Sequence, residues 1–392
     1  MKLIATLITA GALALPACAF AQETVKLTVA SSHPTTIPWI GMIQTHFMKE
    51  TDRLLAEKGN YRIEWQEAFG GTLYKANATL TSVEEGVTDI GWVFSYLEAA
   101  KMPLSQITAY TPFATNNVPA QLDTIRELFN SVPEFKKEWE QYNLVFLGAT
   151  GSDSYDLFTK KPITKLDDLN GMKLSAPGAL GTWLRGTNAN AVDGALTTFY
   201  TDIQTGVSDG VVSLALGALP AKLYEVAPYV TRVDLGVVFS GGLAINKDSW
   251  DGLPEEVQAA LLSAGDFYSK AHAEDLMQRH EAALKKIVEL GATQNPPVTL
   301  TPLAAEERQR WVDQMPDLAG EWAAAAEDKG LPAQAFLKTY MDGLRSRGEK
   351  PARDWDEAKC TAQGMRHPPA QVGGFSKPGP GWSTAWRHSA RS

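Results

Sequence analysis

Cysteine is almost missing from this chain, and that scarcity excludes a whole class of scaffolds. Of 392 residues only two are cysteine, Cys18 and Cys360. The first falls in an N-terminal segment expected to be removed, which leaves one thiol, unable to form an internal disulfide or a Cys-based metal site. Histidine is sparse as well, with six in the chain. None stands in HExxH or a comparable ligand spacing, and His272 and His280 are expected on a solvated helix face. There is no GxSxG nucleophile elbow. The glycines of FGGTLYK (69–75) and GALG (178–181) fit neither the phosphate-binding loop nor the dinucleotide fingerprint. Nothing marks an enzyme, and no metal or cofactor is predicted. Basic runs are missing too, and 45 acidic against 36 basic residues give a net charge of −9. That balance argues against nucleic acid or anionic lipid as the main partner, since both reward clustered Lys and Arg.

Long hydrophobic runs are confined to the start. Residues 3–15, LIATLITAGALAL, follow Met1-Lys2 and lead to Ala19-Phe20-Ala21 before Gln22. A short positive start, an apolar core and a small-x-small site read as a secretory signal, residues 1–21, cleaved after Ala21. The run is too short for a comfortable membrane span, so an exported, soluble mature protein is expected.

What is present alternates strand and helix. TVKLTVASS (24–32) places Val25, Leu27 and Val29 on one face. A helical pattern from Trp39 closes at Gly59, and YRIEWQEAF follows as a second strand. Repeating that βαβ unit gives an α/β architecture. Two distant segments echo each other, TLTSVEEGVTDIGWV (79–93) and TTFYTDIQTGVSDGVVS (197–213). In each, a helix stops at a glycine (Gly86, Gly206), and an aspartate (Asp89, Asp209) is placed to bond turn amides before an apolar strand begins. Two lobes on one topological plan follow. From Leu253 to Leu290 the pattern predicts one long helix, roughly 55 Å at 1.5 Å per residue, long enough to lie across both lobes. An exported two-lobed protein without a catalytic constellation fits capture of a small molecule by lobe closure.

Five collinear stretches carry a more specific likeness: FGGTLYKANATLTSVEEGVTDIGW, KPITKLDDLNGMKLSAP, YTDIQTGVSDG, KLYEVAPYVT and INKDSWDGLPEEVQAAL. In these, from about Leu27 to Leu344, the chain resembles the periplasmic solute receptors of tripartite ATP-independent periplasmic (TRAP) transporters, in the C4-dicarboxylate-binding branch. The resemblance implies a two-lobed α/β periplasmic binding protein with hinge strands, a ligand cleft between the lobes and a long bracing helix. It also implies delivery of the solute to the small and large membrane subunits of an ion-gradient-driven permease. Lobe I is expected from 22–149 plus about 237–265, lobe II from 150–236 plus about 266–346, with 347–392 a disordered tail rich in Pro, Gly and Ser. A ligand-sensing module for a membrane kinase is the alternative use of the same closing lobes.

The resemblance further implies an arginine in the strand after GMK, gripping a ligand carboxylate through a two-pronged salt bridge. Here that position is Ser175. A second basic position falls at Tyr155, and a polar position often filled by Asn falls at Ser213. An unpartnered buried carboxylate costs several kcal/mol, so a standard C4-dicarboxylate is disfavoured. The expected cleft set is His33, Trp39, Lys75, Phe94, Tyr96, Tyr155, Ser175, Phe199 and Ser213, suited to a neutral, aromatic or amine solute, with Asp153 and Asp156 favouring a cation. Trp92 and Phe199 also suit plain packing within their lobes. A carboxylate reading survives if Lys75 or Arg185 replaces the missing base.

Overall fold

The computed structural model describes residues 22–357; the expected signal segment and the chain beyond 357 lie outside them. Among the described residues eleven strands form two sheets. In chain order they are β1 (Glu23–Ala30), β2 (Tyr61–Ala68), β3 (Ile90–Val93), β4 (Leu144–Gly151), β5 (Tyr155–Thr159), β6 (Lys173–Ala176), β7 (Asn190–Asp193), β8 (Gly210–Leu214), β9 (Tyr229–Arg232), β10 (Phe239–Asn246) and β11 (Thr299–Pro302). One sheet has the order β2-β1-β3-β10-β4, the other β11-β9-β5-β8-β6-β7.

The two sheets follow one plan. β1 lies between its parallel neighbours β2 and β3, as β6 lies between parallel β7 and β8. An antiparallel strand then joins each set: β10 beside β3 in the first sheet, β5 beside β8 in the second. Each of these arrives from the other half of the chain, β5 directly after β4 and β10 directly after the segment that leaves β9. Residues 152–154 and 233–238 are therefore the crossings. They are tied together, with Ser152 N–H donating to the Val238 carbonyl (2.8 Å) and Tyr155 N–H to that of Gly236 (3.2 Å).

The repeated turn is real in three dimensions. Gly86 and Gly206 both adopt the left-handed backbone, at φ 69° and 81°, which stops the helix before them. The aspartates act differently from expectation. Asp89 accepts the Thr28 N–H of β1 (2.7 Å), and Asp209 accepts the Lys173 N–H of β6 (2.9 Å). Each carboxylate thus pins the incoming strand to its neighbour and leaves its own turn amides alone.

Helix Glu255–Gly291 runs as one element of 37 residues. Its first half, through Val257, Leu261, Ala264 and Tyr268, packs into the core with Leu27, Ile40, Phe47 and Trp92. Its second half, through Ala283, Leu284 and Ile287, joins Phe158, Ile203, Val211 and Val230. Apolar residues on this one helix therefore serve both sheets. His272 and His280 are buried on it, at 0% and 6% exposure, so the expected solvated face is wrong at both. Helical spacing alone does not reveal which face of a helix buried on several sides meets polar partners.

Two further expectations change. The helices Leu318–Glu327 and Ala333–Ser346 pack on residues 104–110 and 118–131, not on the second sheet: Trp322 Nε1 donates to the Pro103 carbonyl (2.9 Å), and the Phe135 and Phe336 rings lie 5.0 Å apart. The disordered tail expected from 347 is ordered through 357. Trp355 is 2% exposed and its indole N–H donates to the Pro112 carbonyl (2.7 Å), while Arg345 bonds Asp354 and Asp356.

The long helix meets β4 at backbone contact. A Cβ on Gly265 would lie 2.1 Å from the Leu147 carbonyl oxygen, and one on Gly148 2.7 Å from that of Gly265. Gly265→Ala is expected to destabilise the protein by about 1–3 kcal/mol, read as a lower midpoint in urea denaturation with an unchanged slope.

Candidate functional site

In parallel α/β sheets, ligands gather beyond the carboxyl ends of the strands. In the first sheet those ends carry Ser31–His33 after β1, Phe69–Gly71 after β2 and Phe94–Tyr96 after β3. In the second they carry Pro177 after β6, Gly194 after β7 and Ala215–Leu216 after β8. The two sets meet: the Tyr96 hydroxyl donates to the Pro177 carbonyl at 2.5 Å.

The first lobe's side is an aromatic wall. The His33 ring stands edge-on to Trp92 at 5.3 Å and to Phe94 at 6.4 Å. Trp92 stacks on Phe94 at 5.0 Å, Phe94 lies 5.8 Å from Tyr96, and Trp39 lies 6.2 Å from Trp92. Trp92 is fully buried, its indole N–H held by Thr150 Oγ1 (3.0 Å), so it backs the wall, while His33, Trp39, Phe94 and Tyr96 are half-buried on it. Burial lowers the His33 imidazole below its ordinary value, which favours the neutral ring, and its Nδ1 meets Ser32 Oγ (2.8 Å). Burial raises the Tyr96 phenol, with the Asp193 charge adding to the rise, so it stays a hydrogen-bond donor.

On the second lobe the expected residues are deeper. Tyr155 is 8% exposed, its ring edge-on to Trp183 at 5.6 Å, and burial raises its phenol. Ser175 is fully buried and its hydroxyl has no hydrogen-bond partner among the described residues. Ser213 is buried beside Asp156, its cross-strand neighbour. Phe199 packs with Ile203, Val211 and Leu223 in the lobe's core. The structure brings His33, Trp39, Phe94 and Tyr96 together as one surface, and it sets Phe199 apart from them.

The charged candidates sort by what already holds them. Arg185 is exposed and grips Glu321 with both terminal nitrogens (2.5 and 2.9 Å). Lys75 is exposed beside the β2 loop, its ammonium donating to the Gly71 carbonyl (2.7 Å), and no acid pairs with it among the described residues. Asp156 is fully buried, accepting the amides of Val233 (2.8 Å) and Asp234 (3.0 Å). Asp153 is buried too, accepting the Leu216 amide (3.2 Å) and bonding His280 Nδ1 (2.9 Å). Asp156 is held by the second crossing and Asp153 by Leu216 and His280, against the expectation that they would face a cation. Asp193 is the acid that sequence reading missed. It ends β7 in register with Ala176, next to Ser175, accepts the Gly178 N–H (3.2 Å), and acts on Tyr96 from across the lobes. Only strand pairing could have located it, because it lies 18 residues beyond Ser175 in sequence.

Residues 40–325 match the model of the DctP family, described as bacterial extracellular solute-binding protein, family 7. The chain belongs to this family. It is 24% identical over 286 residues to a solute-binding protein of Sulfitobacter sp. strain NAS-14.1, covering 71% of this chain and 83% of that one. It is also 24% identical over 238 residues to the ectoine-binding periplasmic protein TeaA of Halomonas elongata, covering 59% and 68%. Among solved structures it shares the fold of a marine-metagenome TRAP solute-binding protein specific for aromatic acids, in complex with 3-hydroxybenzoate. That match has TM-score 0.70 and 20% identity, and covers 83% of this chain and 99% of that one. The chain thus has the two-lobed α/β fold of TRAP periplasmic solute-binding proteins, and members of its family are extracellular solute-binding proteins rather than enzymes. No helix among the described residues is long and apolar enough to cross a membrane.

The Tyr96–Pro177 bond is a direct lobe-to-lobe tie. Tyr96→Phe removes about 0.5–1.5 kcal/mol from the joined state, so solute affinity in calorimetry is expected to fall roughly two- to tenfold. Arg185→Ala is expected to leave that affinity unchanged.

Proposed function

We infer that this receptor captures a ring-bearing neutral or amine solute and hands it to the small and large membrane subunits of its TRAP permease. The observation that carries the reading is the buried Ser175 hydroxyl, at the strand position where the resemblance calls for a carboxylate-gripping arginine, with the Asp193 carboxylate one residue away in register on the neighbouring strand. The local charge is thereby reversed. A ring laid against Phe94 and Tyr96 gains aromatic contact, and an ammonium near Asp193 and the Tyr96 face gains both Coulomb and cation–π attraction. Relatives show how widely the fold's ligands vary: ectoine by name in TeaA, 3-hydroxybenzoate and galacturonate in solved neighbours. Sequence residues 1–21 fit export to the periplasm, where such a receptor meets its permease.

Lys75 supports the second reading, a carboxylate held from the first lobe, because it is a cation at the β2 loop with no acidic partner among the described residues. Thermal-shift measurements on residues 22–392 separate the two. The probes are tyramine, tryptamine, ectoine, 3-hydroxybenzoate, galacturonate and succinate. A ligand at a hundredfold excess over its dissociation constant stabilises by about 2.7 kcal/mol. The expected result is a shift with tyramine, tryptamine or ectoine, none with succinate, and loss of the shift in Asp193→Asn. A shift with succinate or galacturonate that Lys75→Ala abolishes overturns the amine reading in favour of the carboxylate one.

A further inference from the structure

Three polar side chains that solute capture leaves unexplained meet where the chain crosses between lobes. The Asp153 carboxylate, in the crossing between β4 and β5, bonds His280 Nδ1 at 2.9 Å and accepts the Leu216 amide at 3.2 Å. Asp156, at the start of β5, accepts the Val233 and Asp234 amides of the second crossing. All three side chains are buried, and Asp153 Oδ1, Asp156 Oδ2 and His280 Nε2 have no hydrogen-bond partner among the described residues. Eight residues earlier on the same helix, His272 Nε2 accepts the Gly151 N–H (3.2 Å) at the end of β4. The helix therefore holds the crossing strand at two points, roughly 12 Å apart along its axis. His272 touches Trp39 and Tyr268 of the first lobe's core. His280 holds the stretch that leads into the second sheet.

We propose that His280 is a positioning residue for lobe movement: through Asp153 it clamps the crossing strand to the second lobe, and loss of its proton loosens the hinge. The inference concerns the hinge and is independent of which solute the cleft takes.

The charges around His280 set the direction. Burial works to lower its imidazole, and the Asp153 bond together with the Asp153, Asp156 and Glu281 charges outweighs burial, so it titrates above its ordinary value. Glu281, on the same helix, is paired with Arg232 of β9. Asp234 faces Asp156 from the second crossing. Helix Ala215–Ala218 and β11, packed on the same helix, carry no titratable side chain, and helix Leu223–Val226 brings Tyr224 and Glu225, the latter paired with Lys222. A raised histidine contributes fully below its ordinary range and fades as pH rises through its folded value. Asp156, raised chiefly by burial, changes in the same sense, because the fold prefers its protonated form. Alkaline pH leaves two buried carboxylates beside a neutral imidazole. His272 is pushed down to about 4 by burial and stays neutral throughout, a clamp that does not titrate in this range.

Hydrogen exchange by mass spectrometry on the full, solute-free protein tests this, with rates corrected for intrinsic pH dependence. Amide protection across 150–156 and 214–217 is expected to fall severalfold between pH 6 and pH 8.5. Protection in β1 and β2 is expected to stay constant. His280→Asn, which keeps a neutral donor near the Nδ1 position, is expected to flatten the profile, and Asp153→Ala to lower protection at both pH values. Protection that does not change with pH in the unmutated protein overturns the proposal. So does an equal change in β1 and β2, or the unmutated profile persisting in His280→Asn. The thermal-shift result with solutes is independent of all three outcomes.

Discussion

Gly148 and Gly265 let the long helix lie on β4 with nothing but backbone between them. Most of the architecture depends on that approach. With the two chains so close, Ser269 Oγ reaches the Ala149 amide (2.8 Å) and His272 reaches Gly151, so the helix reads the end of β4 by hydrogen bonds as well as by packing. The strand cannot then leave the first sheet in any direction except along the helix, toward Asp153 and His280. A wider gap would fill with side chains and lose those bonds, which pack tightly because protein interiors tolerate few voids.

The second sheet sets the frame around Ser175. The strand that presents Ser175 is still parallel to β7 and β8 and still ends at the other lobe. Where the resemblance leads to the expectation of an arginine, β6 carries the Ser175 hydroxyl, and Asp193 stands one strand over on β7. The aromatic wall from Trp39 to Tyr96 is fixed from behind by Trp92 and Thr150, so its faces need little ordering when a solute arrives, and pre-organisation of this kind spares affinity.

The sequence made the fold largely legible because its strongest signals are local. Alternation in β1, the glycine stops at 86 and 206, and the unbroken pattern after Pro254 all act within a few residues. What it hid depends on register and on faces. Asp193 joins the cleft only through its pairing with Ala176, which no spacing reveals. His272 and His280 look like a solvated pair until the helix is seen packed against β4, Asp153 of the first crossing and the first lobe's core. Asp153 and Asp156 could be placed near the site but not aimed, and their partners, 63 to 127 residues away in sequence, belong to three other parts of the chain. The ordering of residues 347–357 was hidden by composition: Trp355 and Arg353 are anchors set in a stretch that otherwise reads as linker.

The exchange of strands between sheets bears on how the chain is made. The first lobe owns β1 to β4, yet β3 and β4 never touch, and the strand that belongs between them, β10, is specified almost a hundred residues later. A nascent chain that has emerged only through β4 holds two sheet edges waiting for the same partner. Such open edges invite pairing with foreign strands. The first domain-like unit to begin is therefore completed only after the second sheet's own parallel core has been synthesised.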